Sequence, residues 1–70
     1  MTEGAISVRK KELIALAVAL TTPCDYCLEL HRRGAEKAGA LLEEVAETIL
    51  IAGALRAGAA LTHGTQIVAD

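Results

Sequence analysis

Apolar residues recur at helical spacing along nearly the whole chain, and β-branched residues are too scattered to read as strands. The first helix is predicted from about Ser7 to Leu20, with Ser7 as its N-cap and the greasy run ELIALAVAL as its body. The TTP that follows should end it, because Pro23 pushes Thr22 out of the α region. A second helix is expected to begin at once. Thr22 would be its N-cap, Pro23 its first residue, and Asp25 would lie near the positive end of its dipole. It should run to about Ala38, where Gly39 supplies the stop, with Glu29–Arg33 and Arg32–Glu36 paired one turn apart on its solvated side. The third helix is predicted from Leu42, with Glu43 and Glu44 in its first turn, to the Gly58–Gly64 region or beyond. Its N-cap is poor, since Leu41 stands where Ser, Thr or Asp would serve. The pattern shows no repeat and no linker. It predicts an all-α fold of about three helices in a single domain spanning residues 1–70.

Composition adds an assembly to this picture. A 70-residue chain builds a marginal core, yet 53% of these residues are apolar and Tyr26 is the single aromatic. The apolar surplus predicts an interface with further copies, and Gly53, Gly58 and the many alanines of the third helix make a close-packing face for another helix or a subunit. Seven basic residues among nine acidic ones, without aromatic interleaving, argue against nucleic acid. LIALAVAL falls short of the ~20 residues of a membrane span. VAETILIAGALRAGAAL is long enough but contains Glu47 and Arg56, and MTEGAISVRKKE lacks the form of a secretory signal. A soluble, cytoplasmic protein is expected.

The chemistry concentrates in TTPCDYCLELH. On a wheel of about 100° per residue with Cys24 at zero, Cys27 falls at about −60° and His31 at about −20°. Leu28, Ala35 and Ala38 share that sector, while Asp25, Glu29, Arg33 and Glu36 lie opposite. Two cysteines and a histidine therefore occupy one half-buried stripe. Glu12, which opens the eight apolar residues of the first helix, is as far from the centre of the turn as His31 is. In an antiparallel hairpin of equal rise the two come out level. Glu12, His31 and Cys27 then form a candidate proton-relay row. Cys24 sits where the unpaired N–H groups of a helix start favour a thiolate, and His31 is four residues beyond Cys27 to take its proton.

Glu12, eleven residues, Cys24-Asp25-Tyr26-Cys27, three residues and His31 resemble the E-x11-C-x2-C-x3-H pattern of the AhpD-like alkylhydroperoxidases, within the carboxymuconolactone decarboxylase superfamily. The resemblance covers roughly residues 9 to 60. It implies a helical fold assembled as a trimer or hexamer, and thiol-dependent reduction of hydroperoxides or exchange of disulfides without a cofactor. By the same resemblance Cys27 attacks the peroxide, Cys24 resolves, and Glu12 and His31 relay the proton. A lipoyl-bearing or thioredoxin-like donor and a peroxiredoxin partner are further implications. In the best-known members a histidine precedes the second cysteine, where this chain has Tyr26. The family domain also usually carries a further helix before the segment with which this chain begins.

Two other classes compete. A lactone enzyme of the decarboxylase branch would use Glu12 and His31 as acid and base and leave the cysteines idle. A non-catalytic helical oligomer or metal-binding module would use Cys24, Cys27 and His31 as packing or ligands. Structural zinc needs four ligands, however, and the chain adds only the remote His63. Glu12 also has a plain reading as an early helical acid beside Lys10 and Lys11.

Overall fold

The structure is a computed structural model, and it describes residues 2–22 and 24–68. Three helices make up the fold: α1 (Val8–Leu20), α2 (Asp25–Lys37) and α3 (Leu42–Val68), with no strand among the described residues. Ser7 caps α1 as expected, its hydroxyl accepting the Lys10 N–H at 3.2 Å. The carboxylate of Glu3 accepts the Val8 N–H at 2.7 Å, so the leading segment folds back on the start of α1.

The turn between α1 and α2 departs from expectation. Thr22 does not cap α2, because its hydroxyl and that of Thr21 donate back to the last carbonyls of α1, chiefly that of Val18 at 3.3 and 3.0 Å. The N-cap of α2 is Cys24, whose sulfur accepts the Cys27 N–H at 3.2 Å. Both threonines are thus spent closing one helix, and the cysteine opens the next. The expected role of Pro23 as first helical residue lies outside the described residues. Asp25 is the first residue of α2 and does sit at its positive end.

At the other end of α2, Ala38 is the C-cap and Gly39 takes φ +90°, a conformation open to glycine at little cost. The Gly39 N–H donates to the Glu36 carbonyl (3.1 Å) and the Ala40 N–H to the Ala35 carbonyl (2.9 Å), the two bonds of a Schellman motif. Leu41 is a poor cap for α3, as its side chain dictates. Glu44 reaches back from the first turn to accept the Leu41 N–H at 2.8 Å, the half of a capping box that does not depend on the cap's own side chain.

Both α2 and α3 pack against α1, and among the described residues they do not pack against each other. The core is small: Leu16 and Ala19 from α1, Ala35 from α2 and Ala52 from α3 are its buried members. Three of these four are alanines, which lets the helices approach closely. Most of α3 extends past this core with Leu50, Leu55 and Leu61 exposed. By length and composition α3 would also pass for a membrane span, with mean hydropathy 1.4 over an 18-residue window that is almost wholly unburied. A helix that is apolar on nearly all sides asks for cover on more than the side turned to α1.

Candidate active site

The α1–α2 hairpin brings Glu12 and His31 together. Nδ1 of His31 lies 2.8 Å from Oε1 of Glu12, and their side chains are 23% and 15% exposed. The pair sits where equal distance from the turn places it, and Ala35, one turn beyond His31 on α2, is wholly buried. A carboxylate can only accept at neutral pH, so the bond puts a proton on Nδ1. In the neutral ring Nε2 is then left as the basic nitrogen.

Cys24 and Cys27 are joined in a disulfide, with Cα atoms 5.3 Å apart. The bridge spans the N-cap and the first turn of α2, and both residues are half-buried. His31 stands one turn beyond Cys27 on the same face, and the predicted stripe holds: Leu28 and Ala38 are half-buried and Ala35 is fully so. Asp25, Glu29, Arg33 and Glu36 are exposed. Arg32 joins them in a surface network, bonded to Glu29 at 2.9 and 3.2 Å and to Glu36 at 3.3 Å. Arg33 also reaches Glu29, at 2.8 Å. Hydrogen bonds first from Arg32 and then from Arg33 hold the Glu29 carboxyl at about 2, well below its ordinary 4.5. Tyr26 is 75% exposed and stands clear of the packed face.

One residue of the site escaped the sequence reading. Gly34, one turn beyond His31, faces Glu12 so closely that a Cβ built on it would fall into the Glu12 carboxylate. The available signal was a glycine in mid-helix, where the residue costs about 1 kcal/mol relative to alanine and needs a reason. His63 is exposed on α3, and no cluster of three or more potential metal-ligating side chains forms among the described residues.

The model of the carboxymuconolactone decarboxylase family matches residues 1–70. The chain belongs to that family. A protein of Paracoccus denitrificans described as "uncharacterized protein 4 in cox locus" is 45% identical over 67 residues, which is 96% of this chain and 60% of that relative. The chain therefore spans less than two thirds of the length of the curated relative it matches. Family membership and a CxxC pair at disulfide distance fit redox use of the two cysteines.

Proposed function

We propose that this family member is a CxxC thiol oxidoreductase that reduces hydroperoxides or exchanges disulfides. The observation that carries the reading is the Cys24–Cys27 bridge at the start of α2, one turn from a histidine paired with a half-buried glutamate. In the reduced enzyme His31 would accept the Cys27 proton at Nε2 while Glu12 holds Nδ1. The Cys27 thiolate attacks the terminal oxygen of a hydroperoxide, the O–O bond breaks, and the alkoxide leaves as alcohol with the relayed proton. Cys27 is then a sulfenic acid. Cys24 attacks its sulfur, the disulfide forms, and water leaves with the remaining proton. An external dithiol, lipoyl-bearing or thioredoxin-like, returns both cysteines to thiols and is itself oxidised. In that step the N–H of Cys27, which already faces the Cys24 sulfur, would stabilise Cys24 as the departing thiolate.

The proposal includes an assembly of trimer or hexamer size working in a reducing, cytoplasmic setting, where the bridge can be reopened. The deciding experiment is the pH–rate profile of Cys27 oxidation by hydroperoxide in wild type and Glu12→Gln. A loss of at least about tenfold in the variant near neutral pH is expected from general acid–base catalysis. Equal profiles would remove the relay. Activity on a lactone that survives Cys27→Ser and vanishes in His31→Gln would replace this reading by the decarboxylase one.

A further inference from the structure

Helix α2 carries one glycine within its span, Gly34, and its reason is not in α2. An ideal Cβ at this position would overlap Oε2 and Cδ of Glu12 and stand 3.1 Å from Oε1, the oxygen bonded to His31. Gly53, Gly58 and Gly64 of α3 offer a contrast, since a Cβ on any of them meets nothing within 4 Å. We infer that Gly34 is a positioning residue: the missing side chain makes a notch in α2 that seats the Glu12 carboxylate and so keeps Nδ1 of His31 protonated. The inference rests on the relay proposed above and deepens it.

The physical argument concerns which atoms would yield. The atoms that a Cβ would strike are the far end of a flexible side chain, not backbone. Glu12 can swing away at small cost to folding, whereas the backbone of two packed helices cannot. Alanine, moreover, favours a helix interior over glycine. Gly34→Ala should therefore leave the hairpin folded while expelling the carboxylate from its seat. The imidazole then loses the acceptor that fixes its tautomer, and Nε2 competes for the proton that it should be free to accept. Stability and relay geometry move in opposite directions, which a purely structural glycine would not produce.

The test begins on the oxidised protein, so it needs no turnover. Nitrogen NMR shifts of the His31 ring report which nitrogen carries the proton in the neutral form. Wild type should show Nδ1–H. Gly34→Ala should lose that preference while keeping its helical circular dichroism, and the Cys27 thiol of its reduced form should be alkylated at least about tenfold more slowly near neutral pH, as should that of Glu12→Gln. In the Gly34→Ala background, Glu12→Asp withdraws the carboxylate by one methylene and should restore part of the Nδ1–H population, although alone it weakens the pair. If Gly34→Ala fails to fold, Glu12→Ala/Gly34→Ala decides the matter: recovery of the fold traces the clash to Glu12, and continued unfolding overturns the inference. An unchanged tautomer in folded Gly34→Ala overturns it as well. Failure of peroxide reduction with the tautomer results intact would strike the proposed activity and leave the role of Gly34 standing.

Discussion

Glu12 and His31 show how much of a site can be read from spacing alone. Their equal distance from the turn, with equal helical rise, was enough to bring them level, and the contact is 2.8 Å. Cys24 was readable only in part. Its place at a helix start was evident, but Thr21 and Thr22 had to choose between two helix ends, and local sequence does not say which end a hydroxyl will serve. Gly34 was illegible for a different reason, since its explanation lies on another helix. Two predictions belong at this scale. With Cys24→Ser, the sulfenic acid proposed on Cys27 would have no resolving partner, so peroxide followed by dimedone should give a dimedone adduct on Cys27, seen by mass spectrometry. An adduct forming on Cys24 in Cys27→Ser, with none in Cys24→Ser, would reverse the two roles. The second concerns Glu29, whose folded carboxyl is depressed to about 2. A depressed group supports the fold fully above its ordinary 4.5 and loses that support as the pH falls toward about 2. Circular dichroism at low salt should show an acid limb in this window that Glu29→Gln diminishes. The network is exposed, so the difference should shrink at high salt, and matching limbs at low salt would exclude it.

At the scale of elements, the bounds of α1 and α2 and the start of α3 followed from apolar period and stop signals, to within the ambiguity of any terminus, while the end of α3, expected only at the Gly58–Gly64 region or beyond, falls at Val68. The fault lay at the caps, which depend on single contacts. Leu41 offers no side-chain acceptor to the first N–H groups of α3, and what secures the start of the helix is Glu44, which accepts the N–H of Leu41 itself. Glu44→Ala should therefore destabilise the start of α3 by about 1 kcal/mol, measured by denaturant unfolding. No change would mean that solvent serves Leu41 equally well. The α1–α2 contact makes a sharper demand. Ala35 has no exposed surface, and it lies one turn from His31. A larger side chain there must push the helices apart, at about 1–3 kcal/mol for Ala35→Leu. The same separation should lengthen the Glu12–His31 bond, so thiol reactivity and stability should fall together. A stable Ala35→Leu protein with wild-type reactivity would show that the hairpin is not closely packed.

For the whole molecule, the open question is what covers α3. Its 27 residues extend well beyond a core of four buried side chains and give the chain a long axis of 49 Å. Between α2 and α3 runs a hollow of about 290 Å³ with Leu16, Leu20, Leu28, Val45 and Ile49 in its walls. The glycines of α3 have open space where neighbours would be, so nothing among the described residues accounts for them. The proposed assembly accounts for both features, because glycine and alanine let a second helix lie close while Leu50, Leu55 and Leu61 lose their exposure. Sequence could read the surplus of apolar residues but not its direction, since a helix apolar on most sides presents no preferred side to the wheel. Burying one leucine is worth about 1.5–3 kcal/mol, so a charge at such a position should be decisive where an interface exists. Leu55→Glu should lower the mass measured by sedimentation equilibrium from a multiple of the chain to the single chain. Helical content should fall with it, because so small a core does not hold a helix of this length in water. A wild-type protein that sediments as one chain at micromolar concentration, with α3 intact, would refute the assembly and leave the apolar surface of α3 to a different kind of partner.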